Sequence, residues 1–309
     1  MRELMRGHAE LVEAGGRLVP RRLPPGPLHP RLDDVARMPA GVRLEFDTDA
    51  RGFGWDVETA GDVDVVVDGK LVSRSRRVHV EGLAAGRKRV RIWLPQSHHV
   101  SLGDFTVRGT ASAVPEGPRW LAYGSSITQC RLAAGPSETW PALVATALGW
   151  SLRCLGFAGE CHLDPAVARY IRDTDADVIS LCVGVNIHGA ASFSARSLGP
   201  ALEGFVRTIR DGHPDTPILL TTPLHAPDRE TRPNALGLTL ADVRAEVANA
   251  AHGLPVVDGP AILGPDDAGL LADGLHPGAE GYRLIADRMR PHLAALLPET
   301  GTGTEGRHP

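Results

Sequence analysis

Four short clusters in the second half of the chain carry side chains suited to nucleophilic chemistry. Asp273 and His276 stand three residues apart in Asp273-Gly274-Leu275-His276-Pro277. On a turn, that spacing sets a carboxylate beside an imidazole, where it fixes the tautomer and stabilises the imidazolium. The same residues also suit a plain helix start, with Pro277 at the first helical position. Gly124-Ser125-Ser126-Ile127-Thr128 directly follows an apolar run. A serine at a strand-to-helix turn is exposed beside helix N-terminal amides, as a nucleophile requires, although Ser and Gly are common turn formers too. Gly156-Phe157-Ala158-Gly159 follows the next apolar run, and a glycine N–H there can face a developing oxyanion or serve a sharp strand exit. Gly184-Val185-Asn186 ends a third run. Its Asn side chain offers an NH₂ donor that does not titrate, or a cap for the next segment.

The elements that position these clusters alternate in type. After residue 118, short apolar strands are expected at 120–123, 152–156, 178–183, 218–222 and 255–257. Helices are expected near 141–148, 165–173, 196–211, 240–251 and 278–297. Within 196–211, Leu198, Leu202, Phe205, Val206 and Ile209 form one apolar stripe at helical spacing. Strands alternating with helices of this length imply parallel βαβ units with right-handed crossovers, and ligands at the carboxyl ends of the strands.

The first third reads differently. Val63, Val65 and Val67 alternate with Asp62, Asp64 and Asp68, and Asp68-Gly69 is a tight-turn dipeptide. Val90, Ile92 and Leu94 alternate with Arg89, Arg91 and Trp93, with further short runs at 42–46, 53–57, 78–80 and 105–107. This spacing suggests an antiparallel sandwich. The expected division is a sandwich with its leading segment over 1–112, a linker over 113–118, an α/β domain over 119–298 and a disordered tail over 299–309.

Composition excludes several classes. The 309 residues are 42% hydrophobic and 23% charged, as in an ordinary globular chain. The net charge of −4 offers no electrostatic reason for nucleic acid or an anionic membrane as partner. No stretch approaches the ~20 apolar residues of a membrane span. The first twenty residues are charged throughout and lack the apolar core of a secretory signal, so the cytoplasm is the expected compartment. Cys130, Cys154, Cys161 and Cys182 lack a CxxC pair and are expected as buried thiols, with a zinc site at Cys161 and His162 as the alternative.

Taken together, GSSIT, FAGE, GVN and DGLHP, in this order across residues 124 to 276, resemble the four blocks of SGNH hydrolases, also called GDSL esterases/lipases. The resemblance spans roughly 118 to 298. It implies a flavodoxin-like three-layer α/β/α domain with five parallel strands, behind an N-terminal, jelly-roll-like β-sandwich. It also implies Ser126 as nucleophile, His276 as general base and Asp273 as its orienter, with the oxyanion held by the Ser126 and Gly159 N–H groups and the Asn186 side chain. Two positions depart from the blocks: Ser125 stands where aspartate is usual, and Ile187 follows Asn186 where aspartate is common. A nucleophile elbow of the α/β-hydrolase kind is excluded by Thr128, which occupies the place of its second glycine.

The implied reaction is acyl transfer through an acyl-serine, needing no metal, nucleotide or redox cofactor. The expected substrate is a short acyl ester of a small molecule or sugar, with transfer to a natural-product or sugar hydroxyl, or a non-catalytic binding role, as alternatives. A sandwich ahead of such a domain is similar to arrangements in carbohydrate esterases and natural-product acyltransferases of the superfamily. Segments after Thr128, at 160–165, at 188–193 and at 225–238 are expected to line the pocket; for His162 and His188 an exposed or helix-capping role is expected, with a place in the lining as the alternative. Trp55 and Trp93 are expected to pack rather than bind ligand. No motif specifies acyl length or oligomeric state.

Overall fold

The computed structural model describes residues 1–297. The tail expected over 299–309 lies outside the described residues. Five parallel strands form the central sheet, in spatial order Ser151–Gly156, Arg119–Gly124, Val178–Cys182, Ile218–Thr221, Val256–Val257. These strands are apolar on both faces because both are covered. Leu121 and Tyr123 enter one core with Val167, Leu202 and Val243 from helices Pro165–Arg172, Ala195–Arg210 and Leu240–Asn249. Trp120 and Ala122 enter the other, with Val144 from Trp140–Leu148 and Met289 from Ala279–Ala294. The result is the expected three-layer α/β/α fold. The strand order reverses around Arg119–Gly124, which has the second strand on one side and the third on the other. A crevice therefore opens beyond its carboxyl end, where ligands bind in such sheets.

Two antiparallel sheets precede this fold. One runs Met5–Arg6, Arg43–Thr48, Lys88–Trp93, Val63–Val67, Lys70–Ser75, with Ser112–Ala113 also paired to Arg43–Thr48. The other runs Glu10–Ala14, Arg17–Arg21, Val100–Val107, Phe53–Thr59, Val78–Val80. Their facing sides meet in a core that contains Phe46, Phe53, Val65 and Ile92. Asp68 and Gly69 have φ of 47° and 79°, the left-handed pair that a two-residue hairpin turn demands. Trp55 is buried against Phe105 in this core.

The outer face of the first sheet is covered at its middle, around Asp64 and Val66, although Asp62, Asp68 and Arg89 on it are exposed as simple alternation implies. Asp64 is wholly buried: Arg74 forks onto it at 2.7 and 2.9 Å, and the Ser137 hydroxyl of the α/β part donates to it at 2.6 Å. Val66 and Trp93 on the same face belong to the core that contains Trp120 and Trp140. The segment 22–38 also leaves the sandwich. Its helix Pro30–Ala36 sends Leu32, Val35 and Ala36 into the core beneath Leu121 and Leu155. No helix among the described residues is long and apolar enough to cross a membrane.

Candidate active site

The clusters converge at the carboxyl end of the sheet. Ser126 opens a short helix, Ser126–Gln129, immediately after the strand Arg119–Gly124. Ser125 caps that helix, its hydroxyl accepting the Ile127 N–H at 3.2 Å. A Cβ at Gly124 would lie 2.1 Å from Thr128 Oγ1, so only glycine permits so sharp a turn. Ser126 Oγ stands 2.9 Å from His276 Nε2, and His276 Nδ1 stands 2.8 Å from Asp273 Oδ2. The other carboxylate oxygen of Asp273 accepts the His276 N–H at 2.7 Å and the Leu275 N–H at 3.1 Å. The backbone N–H of His276, joined by its imidazole, holds the Asp273 carboxyl down to about 2.

Three donors line the same cavity as Ser126 and His276. Gly159 sits at φ 77° in the turn after Ser151–Gly156. Asn186 lies in the helix Val185–Ala190, and its Oδ1 accepts the Cys161 N–H at 3.2 Å, leaving the NH₂ for the cavity. Neither the Ser126 N–H nor the Gly159 N–H donates to another described residue.

The turn carrying Gly159 is braced from below. Gln129 Oε1 accepts the Ala158 N–H at 2.9 Å, while its NH₂ donates to the Gln96 carbonyl at 2.9 Å. The fully buried Arg22 donates to Gln129 Oε1 at 3.4 Å, to the Cys154 carbonyl at 3.3 Å and to the Gly156 carbonyl. Burial lowers its guanidinium to about 10. No local pattern marked Arg22 or Gln129, since their partners are remote in sequence.

The cavity holds about 830 Å³. Its lining includes His162, for which the sequence favours an exposed or capping role; the ring bonds the Gly159 carbonyl at 2.9 Å and the Ser192 hydroxyl at 2.8 Å. His188 does not reach it; burial lowers its pKa, and it lines an adjoining cavity of about 420 Å³. Trp140 packs inward, its N–H on the Ile127 carbonyl at 3.0 Å. Sequence reading missed His29 and Arg31, which arrive from the leading segment and meet Glu160 at 3.4 and 2.9 Å. The only available signal was a helix start at Pro30 beside polar residues, inside a stretch assigned to the sandwich.

The four cysteines are unpaired, and burial pushes Cys182 up to about 12, away from the thiolate that metal binding needs. Among the described residues no group of three or more His, Cys, Asp or Glu side chains is placed to hold a metal ion.

Comparison with known proteins bears on the site. The model of the GDSL-like Lipase/Acylhydrolase family matches residues 122–284. A salicylyl-acyltransferase, SsfX3, from a tetracycline biosynthetic pathway superposes with a TM-score of 0.86 at 32% identity, over 94% of each chain. A candidate GDSL-like lipase of Bacteroides ovatus ATCC 8483 superposes with a TM-score of 0.75 at 21% identity, over 96% of each chain. A carbohydrate esterase family 2 enzyme of Corynascus thermopiles (Myceliophthora fergusii) gives a TM-score of 0.63 at 18% identity, over 84% of this chain and 94% of that one. None of the curated proteins is a significant match.

Proposed function

The chain belongs to the GDSL-like lipase/acylhydrolase family, an ester-hydrolase family of the SGNH type, and on that premise we propose that it cleaves short acyl esters of a small molecule or sugar through an acyl-serine on Ser126. The observation that carries this reading is the continuous relay from Ser126 Oγ through His276 to Asp273, at 2.9 and 2.8 Å, beside three donors in one cavity.

In this mechanism His276 Nε2 takes the Ser126 proton as Oγ bonds to the ester carbonyl carbon. The negative charge passes to the carbonyl oxygen, where the Ser126 N–H, Gly159 N–H and Asn186 NH₂ receive it. Collapse breaks the bond to the alcohol oxygen, which leaves with the proton from His276. Water then repeats the sequence and releases the acid. Every step uses side chains and backbone of this chain, and none calls for a metal, nucleotide or redox cofactor. The two departures from the family blocks are compatible with this chemistry: Ser125 supplies the helix cap, and Ile187 is buried in the core.

A second reading replaces water with an acceptor hydroxyl. It is favoured by the 32% identity to a salicylyl-acyltransferase over nearly the whole of both chains, sandwich included. The test is hydrolysis of p-nitrophenyl acetate, butyrate and octanoate by the wild type, Ser126→Ala and His276→Ala, with and without added sugar or phenolic acceptors. Release abolished in both variants supports the acyl-serine route. An acyl-acceptor product, formed faster than acid, identifies the transferase. Equal background rates in all three folded proteins, with no labelling of Ser126 by a phosphonate, would leave a binding protein on this fold.

A further inference from the structure

Four carboxylates line the catalytic cavity and the one beside it; Glu160 and Asp273 are partnered and Asp164 and Asp228 are not, while two arginines of the catalytic cavity also lack a partner among the described residues. Arg31 is neutralised by Glu160 at 2.9 Å, and Asp273 is engaged by His276. Of the two carboxylates flanking Arg229 in sequence, Glu230 is bound by Arg244 at 2.8 Å and by His225 at 3.3 Å, and the exposed Asp228 lines the adjoining cavity without an ion pair to Arg229. Arg131 and Arg229 line the cavity that holds Ser126 and Asn186, and neither makes an ion pair or side-chain hydrogen bond to another described residue. Arg229 is half-buried and Arg131 exposed, and both guanidinium groups are free to take a ligand anion.

The Arg229 guanidinium lies against the helix that carries Asn186. Its Nη1 lies 3.0 Å from where a Cβ on Gly189 would stand, so the guanidinium rests on bare helix backbone one turn beyond Asn186. Arg229 also lines the adjoining cavity of about 420 Å³, together with Arg232. A substrate group reaching past Asn186 therefore meets a guanidinium at the junction of the two spaces.

We propose that this site selects esters bearing an oxyanion, a carboxylate or a phosphate, which Arg229 binds with Arg131 in support. This rests on the acyl-serine reading above but names a substrate class that the reading leaves open. A guanidinium donates two parallel N–H bonds to either oxyanion, and charge-assisted bonds of this kind discriminate about ten- to a hundredfold against a neutral isostere.

The experiment compares two matched pairs. In one, p-nitrophenyl hemiglutarate is set against its methyl ester, placing the charge on the acyl side. In the other, 5-acetoxy-2-nitrobenzoate is set against its methyl ester, placing it on the leaving group. One anionic member should be preferred by about tenfold or more in kcat/KM, with the ratio falling at high salt. Arg229→Gln should bring that ratio close to one. Calorimetry of glutarate and of inorganic phosphate with Ser126→Ala measures the subsite without turnover, and the tighter of the two identifies the oxyanion. Binding that is lost on adding Arg229→Gln supports the subsite even if no ester is cleaved, in which case the acyl-serine reading alone falls. Ester cleavage with no charge preference in either pair, or a preference intact in the Arg131→Gln/Arg229→Gln double variant, overturns the proposal and leaves that reading standing.

Discussion

Asp273 shows how one residue can serve two tasks with its two oxygens. Oδ1 takes the backbone N–H groups of Leu275 and His276, which shapes the turn, while Oδ2 takes the imidazole. Its carboxyl, held down to about 2, stays ionised throughout the working range. The sign follows from linkage: a folded value below the unfolded one of about 3.9 stabilises the fold above pH ~4, and that contribution is lost as pH falls toward 2. The acid limb of kcat/KM is therefore not expected to report protonation of Asp273. Asp273→Asn keeps an acceptor for the backbone but presents NH₂ to Nδ1, favouring the wrong tautomer. We expect kcat to fall on the order of 10³–10⁴ with the fold intact by circular dichroism. Gln129 makes a second residue-scale case. Gln129→Leu removes the acceptor for the Ala158 N–H and should lower kcat about 10- to 100-fold with little change in KM, by displacing the neighbouring Gly159 amide. Gln129→Glu keeps the acceptor and should recover most of the loss. Equal losses in both variants would mean the Gln129 contact to the Gln96 carbonyl matters more than the turn.

At the scale of elements, the turns that follow the strands carry the strictest demands. Gly184 links Val178–Cys182 to the helix bearing Asn186 at φ 116°, and a Cβ there would lie 2.5 Å from Pro223. Gly184→Ala combines backbone strain with a clash and should cost roughly 2–4 kcal/mol. Thermal denaturation should show this as a fall in Tm of several degrees, accompanied by loss of activity through Asn186. Elements with strong periodicity were readable in advance. The stripe through Leu198, Leu202, Phe205 and Ile209 is buried along its length, and the run at 178–183 is a central strand. The hairpin Glu10–Ala14 with Arg17–Arg21 escaped notice because its strands are short, polar and interrupted by Pro20. Its signal was the Gly15-Gly16 pair, both at positive φ, as a two-residue turn requires.

Across the whole molecule, a polar network ties the sandwich to the α/β part. Arg74 binds Asp64 and, at 2.6 Å, Glu138, which in turn holds Arg283 of the last helix at 2.6 Å. Removing the buried Asp64 carboxylate leaves Arg74 with Glu138 alone and the Ser137 hydroxyl without its acceptor. Asp64→Ala should destabilise by about 3 kcal/mol, measured as a lower midpoint of urea unfolding. A change within error would show that water or Glu138 alone satisfies Arg74. On the other face of the parallel sheet, the leading segment brings Arg22 beneath the Gly159 turn and His29 and Arg31 to the cavity rim, so it reaches the site although it is far from it in sequence.

The division between what sequence determined and what tertiary structure decided follows from range. Turn chemistry, strand alternation, helical stripes and the Asp273–His276 spacing act over a few residues, so the sequence alone specified the parallel α/β fold and placed Ser126, Gly159 and Asn186 after strands and His276 before the last helix. The family resemblance of the four blocks then assigned them roles. Alternation in 62–68 showed which face Asp64 occupies but could not show what covers that face. The burial of Asp64, the brace through Arg22 and Gln129 and the unpaired guanidinium of Arg229 beside Asn186 depend on contacts between segments many tens of residues apart. Those contacts arise only when two cores pack together, because burial and charge pairing are set by neighbours in space, and chain order does not record them.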